Sequence, residues 1–365
     1  MKVNPTWHSI HPDFKLNGVS CSRAELSEIG YSLIKEGQTF ENSIGDFLLD
    51  WISDTPTVDV FTSGSTGKPK KITLKKEHMV NSASATAEYL GLTAGDRSLL
   101  CLSCSSIAGK MMLVRAMVLG LELDYVEPSS APLAFTHKPY DFVALVPLQA
   151  EKSISQLSQI DTIIIGGAPI STSLRKALEQ SASAVFETYG MTETITHIAM
   201  KKIGNDQVGS STVKTYFKTL PNISVSQDAR NCLVINAPKI SDSKIVTNDI
   251  VELMDDSNFK WLGRYDSVIN SGGIKLIPEQ IEAKLEHMVN CRFFVMGIPD
   301  EMLGQKLILI LEGEDNDISR LHQKIKTLKE LDKFEIPKEI HTVPSFIETK
   351  SGKVDRIKTT ETLFG

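Results

Sequence analysis

Five cysteines in 365 residues, Cys21, Cys101, Cys104, Cys232 and Cys291, are odd in number and scattered, which excludes a disulfide framework. Cys101 and Cys104 form a lone CxxC with no second pair at zinc spacing, so ordinary buried thiols are expected rather than metal or redox chemistry. No stretch approaches the ~20 apolar residues of a membrane-spanning helix. The opening "MKVNPTWHSIHPDF" has no apolar run and no cleavage signature, so a cytoplasmic protein without a membrane partner is expected. An excess of positive charge is also missing: 39 Lys and Arg against 45 Asp and Glu leave a net charge of -6, which argues against a nucleic-acid partner. There is no internal repeat and no low-complexity segment. What remains, 41% hydrophobic and 23% charged, is the composition of a globular chain, and its length exceeds a single core.

The pattern along the chain predicts α/β architecture. "TVDVFTS" and "KKITL" read as strands on either side of a Gly-rich loop. "KKEHMVNSASATAEYLGL" reads as a helix with Met79, Ala83, Ala87 and Leu90 on one face, ended by Gly91. Short apolar strands ("YDFVALVP", "DTIIIGGAP", "AVFETYG") then alternate with helices ("AGKMMLVRAMVLG", "SISQLSQ", "STSLRKALEQSA"), which predicts a mainly parallel sheet. From about residue 205 short β-like runs predict a small β-rich subdomain. After the linker Gly263 to Asp266 an α+β unit follows, with a helix starting near Pro278. The expected division is a large N-terminal domain, residues 1–263, and a small C-terminal domain, residues 264–365.

The loop "FTSGSTGKPKKITL" offers backbone N–H groups, hydroxyls and an ammonium to phosphate. It is not a Walker loop. Thr62 stands where the first Gly belongs, and Pro69 follows Lys68 where a helix would have to start. By itself a Gly/Ser/Thr-rich hairpin is as readily a simple turn. The run S-G-S-T-G-K-P-K, however, resembles the phosphate loop of the adenylate-forming superfamily of acyl-CoA synthetases, luciferases and peptide-synthetase adenylation domains. Further motifs follow in that family's order: "GGAP" at Gly166–Pro169, "TYGMTET" at Thr188–Thr194, "VTND" ending in Asp249, "GRYDSVINSGGIKL", and "TKSGKVDR" near the C-terminus.

The resemblance, covering about residues 57–358, implies roles. Thr62, Ser63, Gly64, Ser65, Thr66, Gly67 and Lys68 would hold the ATP phosphates. Gly167 and Ala168 would lie along the adenine with Tyr189 stacked on it, and Thr188, Gly190 and Met191 would belong to the same ATP site. Thr192 would bond the α-phosphate and Glu193 would hold Mg²⁺. Asp249 and Arg264 would contact the ribose, although Asn248 replaces the usual Gly of the T-G-D motif. Asp266 would be the hinge of a mobile C-terminal domain, Gly272 and Gly273 would lie by the CoA channel, and Lys353 would be the mobile catalytic lysine. ATP, Mg²⁺ and CoA are the implied cofactors, and a small carboxylic acid is the implied partner. Lys71, where the family usually has Gly, has no account at this level.

For the acid, the front of the chain is short for this superfamily, and Ser106 stands where many acyl-CoA synthetases carry a His. With "TYGMTETITHIA" these features are most similar to the short bacterial o-succinylbenzoate–CoA ligases of menaquinone biosynthesis. Another aryl or acyl acid–CoA ligase, or an adenylation enzyme loading a carrier-protein thiol, stays open. A dicarboxylate needs a cation for its second carboxylate. Lys110 and Arg115 are candidates, five apart on a helix and so not on one face, with Arg115 better suited to a bidentate clamp. His197 is either a residue of the acyl pocket or a structural histidine.

Overall fold

The computed structural model describes residues 5–62, 70–134, 136–204, 216–313, 317–349 and 354–364. The phosphate loop from Ser63 to Pro69 and the catalytic-lysine candidate Lys353 lie outside the described residues.

The chain opens with a two-residue hairpin, β1 (Lys15–Leu16) and β2 (Val19–Ser20), and a helical hairpin, α1 (Arg23–Lys35) and α2 (Asn42–Ile52). Ser22 and Glu25 form a reciprocal capping box that starts α1. A separate antiparallel hairpin follows, β3 (Thr57–Thr62) and β4 (Lys70–Lys75). It accounts for Lys71, whose ammonium lies 2.8 Å from Asp59 on the facing strand. Then come α3 (Lys76–Leu90), β5 (Arg97–Leu100), α4 (Ile107–Leu119), β6 (Glu122–Tyr125), β7 (Tyr140–Leu145) and α5 (Pro147–Lys152). A 3₁₀ turn at Ile154–Gln159 stands where "SISQLSQ" reads as a helix. Next are β8 (Ile160–Ile165), α6 (Thr172–Leu178), β9 (Ala184–Gly190), β10 (His197–Ile203), β11 (Phe217–Thr219), β12 (Ser224–Gln227), β13 (Cys232–Asn236), β14 (Ile245–Leu253) and β15 (Asn258–Arg264).

These strands, the β3–β4 hairpin apart, make one sheet in the order β12-β13-β14-β15-β11-β10-β9-β8-β7-β5-β6-β1-β2. From β9 to β1 neighbours are parallel. At the β9–β10 step pairing turns antiparallel, because a tight turn rather than a helix joins the two strands. The β-rich stretch after residue 205 therefore continues the large sheet and does not form one of its own.

Both faces of the parallel part are covered. On one, α3 and α4 pack beneath α1 and α2, with Phe14, Leu26, Phe47, Leu48 and Trp51 fully buried. On the other, α5 and α6 cover Leu99, Val143, Ile163 and Val185. Lys76, also fully buried, donates from Nζ to the carbonyls of Trp51 at 3.0 Å and Ser53 at 2.9 Å. A cation thus satisfies the carboxyl end of α2, where the helix dipole favours one. Cys101 and Cys104 are buried, and burial pushes both thiols up to about 12.

A second sheet is built from β16 (Ile269–Ser271), β17 (Ile274–Leu276), β18 (Phe293–Asp300), β19 (Gly304–Glu312) and β20 (Glu339–Val343). It is flanked by α7 (Pro278–Leu285), α8 (Ile318–Lys326) and α9 (Arg356–Phe364). Gly272 and Gly273, at φ 60 and 83, form the two-residue turn of the β16–β17 hairpin, a conformation side chains with a Cβ adopt poorly. Between the sheets, the Glu286 carboxylate accepts from the Thr172 backbone N–H at 2.6 Å and from its hydroxyl at 2.5 Å.

Candidate active site

A cavity of about 1080 Å³ opens where the carboxyl ends of β7, β8 and β9 meet the β14–β15 pair, the place where open α/β sheets bind ligands. Gly167, Ala168, Thr188, Tyr189, Gly190, Met191, Thr192, Glu193, Asp249 and Arg264 all line it, as do Arg115 and His197. Thr62 ends β3. Asp266, Gly272 and Gly273 are not among the lining residues.

The sequence forms this mouth by close backbone approach. A Cβ on Gly190 would lie 2.3 Å from the Thr196 carbonyl and 2.4 Å from the His197 Cα, so only glycine lets β9 and β10 meet. Between them Thr192–Thr194 is a 3₁₀ turn. Ile195 follows at φ 66 and ψ −60, with the Thr196 N–H bonded to the Thr194 carbonyl at 2.7 Å. This three-residue turn is strained for a β-branched side chain, and burial of Ile195 and of Thr194 holds it in place. Glu193 is thereby left exposed at the mouth. Among the described residues no cluster of three His, Cys, Asp or Glu side chains could hold a metal. A single carboxylate suits Mg²⁺ that arrives on phosphates.

Asp249 is almost fully buried. Its Oδ2 accepts from the Tyr189 hydroxyl at 2.6 Å and its Oδ1 from Trp261 Nε1 at 3.1 Å, with Arg264 Nη1 3.8 Å away. Burial and the neighbouring Asp249 push the Tyr189 phenol well up, so it stays a donor. Its ring packs edge-on against Phe259 at 5.2 Å. Asn248 accepts from Arg230 Nη1 at 2.8 Å and donates to Asp266 at 3.0 Å, while Arg264 Nη2 lies 2.9 Å from Asp266. The Asn in place of Gly therefore ties the ribose-motif strand to the expected hinge.

Arg115, which also lines the cavity, is 2% exposed. Its Nη1 touches only the Met112 sulfur at 3.7 Å, and Nε and Nη2 have no hydrogen-bond partner among the described residues. Burial pushes the guanidinium down to about 10, still charged at neutral pH. His197, beside it, is buried and bonded through Nε2 to Thr86 Oγ1 at 3.1 Å. Burial, then the Arg115 charge, lowers its pKa well below the ordinary 6.5.

Of the two candidate cations on α4, Arg115 lines the cavity and Lys110 turns to another side of the helix, its Nζ 4.7 Å from the Phe47 ring centroid, as five-residue spacing leads one to expect. Ser106 is the N-cap of α4, accepting from the Gly109 N–H, and is not a lining residue.

Sequence reading missed Trp261, which orients Asp249. It also missed a partly buried ion triad, Arg175–Glu187–Lys201, with distances of 2.6 and 2.8 Å, of which Glu187 and Lys201 line the cavity. Burial raises the Glu187 carboxyl, but the two cations outweigh it and hold the group below its usual range. Cross-strand pairing of Glu187 with Lys201 joins the triad, and no sequence motif carries that pairing.

The depressed His197 pKa predicts a pH dependence. The unfolded chain takes up this proton near pH 6.5, whereas the folded chain does not until a much lower pH. Stability should therefore fall as pH drops below about 6.5, by at most ~1.4 kcal/mol per pH unit from this residue. Urea unfolding of wild type and His197→Asn between pH 7 and 5 tests this. The variant should show the shallower slope, and equal slopes would refute the assignment.

Comparison with known proteins agrees with this geometry. The AMP-binding enzyme family matches residues 49–227. The 2-succinylbenzoate–CoA ligase of Listeria monocytogenes is 27% identical over 94% of this chain and 76% of its own length. The crystal structure of an acyl-CoA synthetase (AMP-forming)/AMP-acid ligase II-like protein from Dyadobacter fermentans is 34% identical, with 92% of this chain and 98% of that one covered and a TM-score of 0.60. The o-succinylbenzoate CoA synthetase of Bacillus subtilis, in complex with its acyl-adenylate intermediate, shares the fold at 19% identity, with 91% of this chain and 80% of that one covered and a TM-score of 0.72. The cavity at the carboxyl ends of β7 to β9, the Thr-Glu turn beside it and these likenesses agree that the chain belongs to the AMP-binding family of adenylate-forming ligases.

Proposed function

We propose that the chain converts o-succinylbenzoate, ATP and CoA to o-succinylbenzoyl-CoA, AMP and pyrophosphate, as a cytoplasmic step of menaquinone biosynthesis. The observation that carries this reading is Arg115, a buried guanidinium that lines the cavity with two nitrogens unpaired among the described residues. An unpaired buried cation is costly and makes sense where a ligand supplies the anion. A dicarboxylic acid does so, with one carboxylate at the ATP α-phosphate and the other at Arg115. The names of the Listeria and Bacillus relatives point to the same acid.

In this mechanism a carboxylate oxygen attacks the α-phosphorus and pyrophosphate leaves, giving a mixed anhydride. The barrier is mostly charge and alignment. The loop Thr62–Gly67 and Lys68 would grip the β and γ phosphates, and Thr192 the α-phosphate. Glu193 would hold Mg²⁺, which supplies charge neutralisation on the phosphates. Gly167, Ala168, Thr188, Tyr189, Gly190 and Met191 would enclose the adenine, and Asp249 with Arg264 the ribose. Lys353 would neutralise charge developing at the α-phosphate. Residues 264–365 would then turn as a domain about Asp266, withdrawing Lys353 and presenting the Gly272–Gly273 hairpin to the incoming thiol. The CoA sulfur attacks the acyl carbonyl and AMP departs.

The test is CoA-dependent AMP release with o-succinylbenzoate, benzoate and hexanoate. Turnover is expected with the dicarboxylate at least a hundredfold above the two monocarboxylates. Comparable or better turnover of benzoate would remove the substrate assignment and leave the ligase chemistry standing.

A further inference from the structure

The large cavity shares one wall with a second, smaller cavity. Behind His197, between α3 and the turns at 220–223 and 237–240, lies a space of about 70 Å³, and His197 lines both. Arg115 lines only the first. The imidazole is therefore the partition between them.

The ring is held in that position. Thr86 is fully buried on α3, and its single hydroxyl hydrogen goes to the Ser82 carbonyl at 3.0 Å. Toward His197 the Thr86 oxygen must accept, which assigns the imidazole hydrogen to Nε2 and leaves Nδ1 with its lone pair. Thr196 Oγ1 lies 3.4 Å from Nδ1. On the far side, Ser82, 2% exposed, lines the smaller cavity, and its enclosed hydroxyl has no hydrogen-bond partner among the described residues. A buried hydroxyl without a partner is normally met by a polar group once one can reach it.

Taking the large cavity as the acyl site, as proposed above, we propose that His197 sets the length of acid the enzyme accepts, by closing the pocket at Arg115 and shutting off the cavity behind. The acid's distal carboxylate meets a wall made of the Arg115 donors and the imidazole edge. An acid one methylene longer has no room in front of that wall. With a small side chain at position 197 the pocket would run on to Ser82, whose free hydroxyl would receive a polar terminus.

The experiment compares o-succinylbenzoate with its homologue carrying one more methylene between the ketone and the terminal carboxylate, by ATP–pyrophosphate exchange. One misfitting methylene typically costs ~10-fold or more in kcat/KM. His197→Ala should raise the homologue-to-parent ratio of kcat/KM by about that factor. Adding Ala85→Leu, on the wall of the smaller cavity, should bring the ratio back down. A general loss of structure would lower both acids together and leave the ratio unmoved. A folded His197→Ala enzyme that discriminates like wild type overturns the proposal. Should that variant not fold, Thr86→Val, which frees the ring at nearly unchanged volume, carries the same prediction, and an unchanged ratio there overturns it. If wild type turns over neither acid, the substrate assignment falls. The partition is then judged on the acid that wild type does activate, against its own one-methylene homologue.

Discussion

Arg115→Met should make the free protein more stable and nearly inactive toward the dicarboxylate. Arg115 is fully enclosed, and among the described residues its guanidinium's one polar contact is a thioether 3.7 Å from Nη1. Burying a charge without a partner is among the most expensive arrangements a fold can hold. A methionine of similar length removes that cost and keeps the packing, so a gain of about 2 kcal/mol is expected in urea unfolding without ligand. The opposite holds once the acid is bound. Losing one partner of a buried charge pair costs about 2–5 kcal/mol, which corresponds to a fall in kcat/KM for o-succinylbenzoate of about 30-fold or more. A monocarboxylate should not discriminate between the two enzymes. A variant less stable than wild type would show that Arg115 is a structural residue, and one that is more stable yet fully active would remove it from acid recognition.

Asp249→Ala should act on ATP and leave the acid alone. The carboxylate serves Tyr189, Trp261 and Arg264 at once, and it stands on the same cavity wall as the Thr-Glu turn. Removal takes away the proposed ribose acceptor and also the carboxylate bonded to the Tyr189 hydroxyl. The KM for ATP should rise about 100-fold, as expected for a lost hydrogen-bond pair to a charged group, while the KM for the acid stays within about twofold. The stranded Tyr189 hydroxyl and Trp261 N–H should lower stability by about 1–3 kcal/mol. Asp249→Asn keeps one acceptor and should recover part of both. If the acid and ATP constants move together, Asp249 is supporting the cavity as a whole and the ribose role fails.

The parts of this site that depend on local chain chemistry were readable from the sequence. Gly91 closes its helix in the left-handed conformation, as expected of a glycine at that place. The opposite directions of Lys110 and Arg115 follow from five residues of helical rotation. Gly190 was read only as part of the nucleotide site, and the backbone contact it permits between β9 and β10 appears in the structure alone. Parts that depend on which strands become neighbours were not readable. Trp261 reaches Asp249 because β14 and β15 pair, and Lys201 reaches Glu187 because β10 turns back on β9. The continuity of the thirteen-stranded sheet rests on that same reversal. Ser106 shows the converse: its position suggests a binding residue, and its chemistry, a hydroxyl before a helix, makes it a cap.

The ends of the large sheet bear on how this protein behaves in concentrated solution. An array of thirteen strands terminates in two rows of unpaired backbone donors and acceptors, which can template pairing with another molecule. Here one terminus is β2, two residues long, and the other is β12, the four residues Ser-Val-Ser-Gln. Only Val225 of the outer strand β12 is buried. Neither margin offers a long apolar ladder for a neighbour to extend, so the sheet that carries the catalytic cleft is protected against self-association by the shortness of its own borders.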